Sequence, residues 1–128
     1  MRRIGPTLLL AIAVVPRDAH AEVQARARLS YVVEAGAETC PAEPEMRDLV
    51  AARLGYDPFA ADAQQEVVVR IGRRARGIAG AFELKGPKPG QREIASPGGD
   101  CREVADALAT AIAISLDPAS LGRPTPPP

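Results

Sequence analysis

Two cysteines, Cys40 and Cys101, are the only thiols in this chain of 128 residues, and His20 is its only imidazole. A pair of thiols can hold a metal, exchange electrons or form a disulfide, and the compartment decides between them. The first 21 residues indicate that compartment. Met1-Arg2-Arg3 is a charged start, Leu8 to Val15 is a short apolar run, and Ala19 and Ala21 flank His20 just before Glu22. Those are the three parts of a cleaved secretory signal, and the run is too short to span a bilayer. The expectation is a signal peptide over residues 1–21, a mature start near Glu22 and a periplasmic or secreted location. In that oxidising setting Cys40 and Cys101 are expected to form a disulfide.

Cleavage removes His20, so the mature chain has no imidazole. Nucleophilic catalysis of the Ser-His-Asp or Cys-His kind then lacks its base, and a zinc site lacks its commonest nitrogen ligand. Neither a Gly-x-Gly-x-x-Gly run nor a Gly-Lys-Ser/Thr phosphate loop is present. No metal and no cofactor is expected. Acid and base work by paired carboxylates remains formally open, with Glu43 and Glu45 or Asp57 and Asp62 as the nearest clusters. Acidic residues beside a helix start are also expected on dipole grounds alone.

Charge gives the remaining candidates. Losing the leader leaves 13 basic and 15 acidic residues, a balance without general attraction for nucleic acid or anionic lipid. With two Tyr, two Phe and no Trp, a stacking surface for bases or sugars is poorly supplied. Positive charge does gather at Arg70, Arg73, Arg74 and Arg76, a candidate site for an anionic polymer or headgroup. The plainer account is a solvated turn in a chain where 14 of 16 basic residues are Arg. Ser96-Pro97-Gly98-Gly99 before a helix could also cradle an anion, but Asp100 is placed to take the same backbone donors.

Periodicity supplies the elements that would position these groups. Ala25 to Val33 alternates as a strand. Pro44 to Leu54 has helical spacing, with Gly55 at the left-handed cap position. Glu66–Arg73 and Gly77–Lys85 are two strands around the basic turn, and Gln91–Ser96 is a short third strand suited to an edge. Asp100 and Glu103 read as a capping box opening a helix to Leu116, whose alanine-rich and isoleucine-rich surface leaves little polar face. The expected fold is α+β, a two-layer sandwich in the order β-α-β-β-β-α. Its sheet is mainly antiparallel, both helices lie on one face, and the disulfide ties the helix starts together. Residues 22–117 form the domain and 118–128 a proline-rich disordered linker or tail.

Cys40, the run Val50-Ala51-Ala52-Arg53-Leu54-Gly55-Tyr56-Asp57-Pro58-Phe59, and the stretch from Cys101-Arg102-Glu103-Val104 to Leu116-Asp117-Pro118 together resemble a small two-cysteine module of exported proteins from soil deltaproteobacteria. The resemblance covers nearly all of the mature domain and transfers no catalytic residue. Longer members continue past a proline-rich linker into a β-rich region resembling an outer-membrane barrel, whereas this chain stops within the linker. The expected function is a non-enzymatic cell-envelope binding or spacer module, with an anionic envelope component or another envelope protein as partner. The alternatives are a carboxylate-dependent hydrolase acting on a cell-wall polymer, or a stub of a larger outer-membrane protein.

Overall fold

The computed structural model describes residues 5–14 and 23–122. The chain runs β1 (Arg28–Val33), α1 (Glu43–Leu54), β2 (Glu66–Arg73), β3 (Ile78–Lys85), β4 (Gly90–Ser96) and α2 (Cys101–Leu116), and a 3-10 turn follows over Pro118–Gly122. The four strands lie in sequence order in one sheet. β1 and β2 are parallel and joined by α1, while β2, β3 and β4 form an antiparallel meander. This is the expected α+β order, with one parallel pair.

The connections set the directions. A helix crossing between parallel strands runs against them, and α2 leaves β4 and returns against it, so both helices start at the same end of the sheet. At that end Cys40 and Cys101 are joined, their Cα atoms 4.9 Å apart.

Alternation then sorts the strand residues between two faces. Val67, Val69 and Ile71 of β2 and Ile78, Phe82 and Leu84 of β3 are buried with Met46, Val50 and Leu54 of α1 and Val104, Leu108 and Ile112 of α2. Gly80 keeps β3 smooth beneath α2: a Cβ there would lie 2.9 Å from Val104 Cγ1 and closer still to Leu108. On the opposite face no helix among the described residues covers Ser30, Val32, Val68, Arg70, Ala81, Glu83, Gln91 and Glu93, which are half-buried or exposed.

Local chemistry fixes the helix ends. Gly55 has φ +80° and its N–H donates to the Ala51 carbonyl, which closes α1. Asp100 accepts from the N–H groups of Arg102 and Glu103 at 2.9 and 3.1 Å. The reciprocal half of the expected capping box is replaced: Ser96 Oγ accepts the Asp100 N–H and donates to Glu103 Oε2.

One expectation needs correction. The first strand begins at Arg28 rather than Ala25, because Ala25 N–H donates to the Tyr56 hydroxyl and Ala27 bridges to Phe59 instead of β2. Within the expected tail, Pro118 presets a helical φ and Ser120 N–H donates to the Asp117 carbonyl, so Pro118–Gly122 forms a 3-10 turn. Residues 123–128 lie outside the described residues.

Of the expected signal, residues 5–14 carry neither helix nor strand, and Leu8, Leu9, Leu10, Ile12 and Val14 are 77–90% exposed. Arg2, Arg3, the Ala19-His20-Ala21 cleavage site and the start at Glu22 lie outside the described residues. No described helix is long and apolar enough to cross a membrane.

Candidate functional site

The four arginines of the predicted basic cluster are not brought together on one surface. β2 alternates through them, so Arg70 stands on the uncovered face in mid-strand while Arg73 points to the other side at the strand end. Arg73 Nε donates to the Gly36 carbonyl at 3.0 Å. That contact fixes the turn after β1, where Glu38 accepts the Gly36 N–H; this bond holds the Glu38 carboxyl below the usual carboxylate range. Arg74 returns to the uncovered face and pairs with Glu34 at 3.7 Å. Both side chains lie over Gly72, where a Cβ would come within 2.6 Å of Glu34 Oε2 and 2.7 Å of Arg74 NH1. Arg76 is exposed in the turn, whose reversal is made by Gly77 at φ +80°.

Arg70 is therefore distinct from the other three. Among the described residues no carboxylate lies within ion-pair distance of it. Its cross-strand neighbours are Val32 on β1 and Ala81 on β3, both too short to cover a guanidinium. Next to Ala81 across the sheet is Glu93, and one pleat along, Val68 is opposite Glu83, which is opposite Gln91. Together Val68, Arg70, Ala81, Glu83, Gln91 and Glu93 line a shallow, open depression of about 450 Å³. Its floor is aliphatic, one side offers an unpaired guanidinium, and the other offers two carboxylates and an amide. Such a surface can dock a flat polar ligand bearing both anionic and donor groups.

Period-two alternation in Glu66–Arg73 was enough to separate Arg70 from Arg73. The partners across the depression were not legible, because Glu83, Gln91 and Glu93 meet Arg70 only through strand register.

Three of the four candidate carboxylates are engaged in local contacts. Glu43 pairs with Arg47 at 3.1 Å, one turn along α1. Asp57 accepts the Phe59 N–H at 2.9 Å and shapes the turn after the helix. Asp62 pairs with Arg26 at 2.6 Å. Glu45 is exposed on α1 and raises the pKa of Tyr31 by its charge, an addition to the larger effect of burial. The Ser96–Gly99 loop has its helix-start donors taken by Asp100, as its sequence implied.

A second depression of about 470 Å³ lies at the end of the sheet away from the disulfide, between Arg26, Asp62, Gln65, Lys88 and Leu116. Gln65 closes its wall: the buried amide donates to the Lys88 carbonyl at 3.1 Å and accepts the Lys88 N–H at 3.0 Å. These bonds staple the β3–β4 turn to the start of β2.

Compared with models of protein families, with curated proteins and with solved structures, this chain matches none.

Proposed function

We propose that this chain is an exported, non-enzymatic binding module of the cell envelope, and that it binds an anionic envelope component through the uncovered face of its sheet. The observation that carries the reading is Arg70, a guanidinium held in the middle of an open face with no carboxylate partner among the described residues. Glu83, Glu93 and Gln91 across the same depression would receive amine or amide donors from the ligand, so the surface suits a polymer that mixes carboxylates with amides, as cell-wall peptide stems do.

Export is supported by the charged and apolar leader and by a disulfide between the only two cysteines. The likeness to two-cysteine modules of exported proteins points the same way. The basic turn takes a lesser part than its sequence suggested, since Arg73 and Arg74 are engaged within the fold.

The test is co-sedimentation of the purified domain with peptidoglycan, and its retention on lipopolysaccharide and on anionic vesicles, at low and physiological salt. Wild-type protein should bind at least one of these more strongly at low salt, and Arg70→Ser should abolish most of that binding. Binding to none, or equal binding by Arg70→Ser, contradicts the proposal.

A further inference from the structure

We infer that β4 is a dimerisation edge, at which a second copy of this chain extends the sheet from four strands to eight. The reasoning begins with α2, which has more apolar surface than its place in the fold covers. Its inner side packs on β3 and β4 and against α1, yet Ala107 and Ile114 remain only half-buried on its outer flank. Beneath that flank, Ile94 of β4 is half-buried as well. With Arg92, Glu103, Asp106 and Thr110 these residues line an open groove of about 570 Å³ beside the sheet edge. Among the described residues β4 pairs only with β3, so its other side presents backbone N–H and C=O groups with no strand partner there along the same groove.

Charge on the strand selects the occupant and its register. In a two-fold antiparallel pairing a residue at the axis faces its own copy. An axis at Arg92 or Glu93 would set like charges directly opposite each other, which is unfavourable. An axis at Ile94 sets Ile94 against its copy, Glu93 against Ala95, and Arg92 against Ser96. Ser96 Oγ already donates to Glu103 Oε2 at 3.3 Å. Arg92 of one copy therefore arrives beside Glu103 of the other, twice by symmetry. Within one chain neither side chain has an ion-pair partner among the described residues. A helix-side arginine on an edge strand blocks promiscuous pairing, and the register centred on Ile94 gives it a carboxylate partner.

Helix spacing agrees. α2 packs on β3 and β4, and strands lie about 4.8 Å apart, so a two-strand interval of roughly 10 Å matches ordinary helix packing. Pairing at β4 repeats that interval between α2 and its copy, now antiparallel, and closes the Ala107 and Ile114 flank. The opposite face, with Arg70, continues uncovered across both copies, so the dimer leaves the proposed ligand site open, with Glu93 of β4 bordering both.

Sedimentation of the purified, disulfide-bonded exported chain over a dilution series tests this. A reversible dimer is expected, Arg92→Glu should weaken it by about tenfold or more, and Arg92→Glu with Glu103→Arg should restore it. Ile94→Lys should also give monomer, with far-ultraviolet circular dichroism reporting the fold of every variant. Wild-type chain that stays monomeric at its highest concentration overturns the inference, even if it captures an extended peptide at β4. So does a dimer that ignores Arg92→Glu, or a folded charge-swap variant that remains as weak as Arg92→Glu alone.

Discussion

Gly80 and Leu108 are in direct apposition: β3 passes so close beneath α2 that the leucine side chain occupies the space a Cβ on residue 80 would need. Leu108 is fully buried and Val104 borders the same space, so neither can move aside without disturbing the core. Gly80→Ala should therefore destabilise the domain by about 1–3 kcal/mol, the usual cost of overpacking. Denaturant unfolding measures it. Gly72→Ala makes the useful contrast, because its Cβ would displace only the mobile ends of Glu34 and Arg74 and should cost far less.

The disulfide joins segments 61 residues apart in a domain too small to have stability in reserve. Chain entropy assigns a closed loop of that length about 4 kcal/mol, and native disulfides in small secreted domains contribute about 2–5 kcal/mol. Cys40→Ser should lower the unfolding free energy by that amount, and Cys40→Ser/Cys101→Ser should lower it to a similar extent. Mass analysis of exported protein without reductant should find no free thiol.

Tyr31 gives the domain a limit at alkaline pH. Its hydroxyl donates to the Pro41 carbonyl, and burial, aided by the charge of Glu45, raises its pKa to about 12. The unfolded chain ionises this phenol near pH 10, so between roughly pH 10 and 12 the unfolded state binds fewer protons than the folded one. Stability attributable to Tyr31 is thus intact below pH 10 and falls as pH rises towards 12. Melting temperature should drop less steeply across that window in Tyr31→Phe than in wild type.

Tyr56 joins three distant segments. Its hydroxyl accepts the Ala25 N–H and donates to Asp117 Oδ2, each at 2.8 Å, linking the N-terminal approach to β1 with the end of α2. Tyr56→Phe should cost about 1–2 kcal/mol by leaving those groups without their shared partner. Hydrogen exchange should increase first at Ala25 and around the end of α2.

The elements were legible where periodicity and end signals agreed. The helices close at Gly55 and open at Asp100 as their sequences require, and β2 and β3 alternate over the expected spans. What was not legible depended on tertiary partners. The parallel pairing of β1 with β2, the Ser96 substitute for the reciprocal capping bond and the tying of Ala25 to Tyr56 all join residues that no local pattern connects. The arginines part for the same reason: four side chains close in sequence are separated by strand alternation and local partners, leaving Arg70 in mid-strand on the open face without the carboxylate that Arg74 has there.

The most direct measurement of the binding proposal is nuclear magnetic resonance mapping, in which isotope-labelled mature domain is titrated with soluble cell-wall fragments and amide shifts are followed residue by residue. The account predicts perturbations concentrated at Val68, Arg70, Ala81, Glu83, Gln91 and Glu93, with Val67, Val69 and the helices changing little. Perturbations confined to the Arg73–Arg76 turn or to the end bearing Gln65 and Lys88, or no perturbation by any envelope fragment, would contradict it.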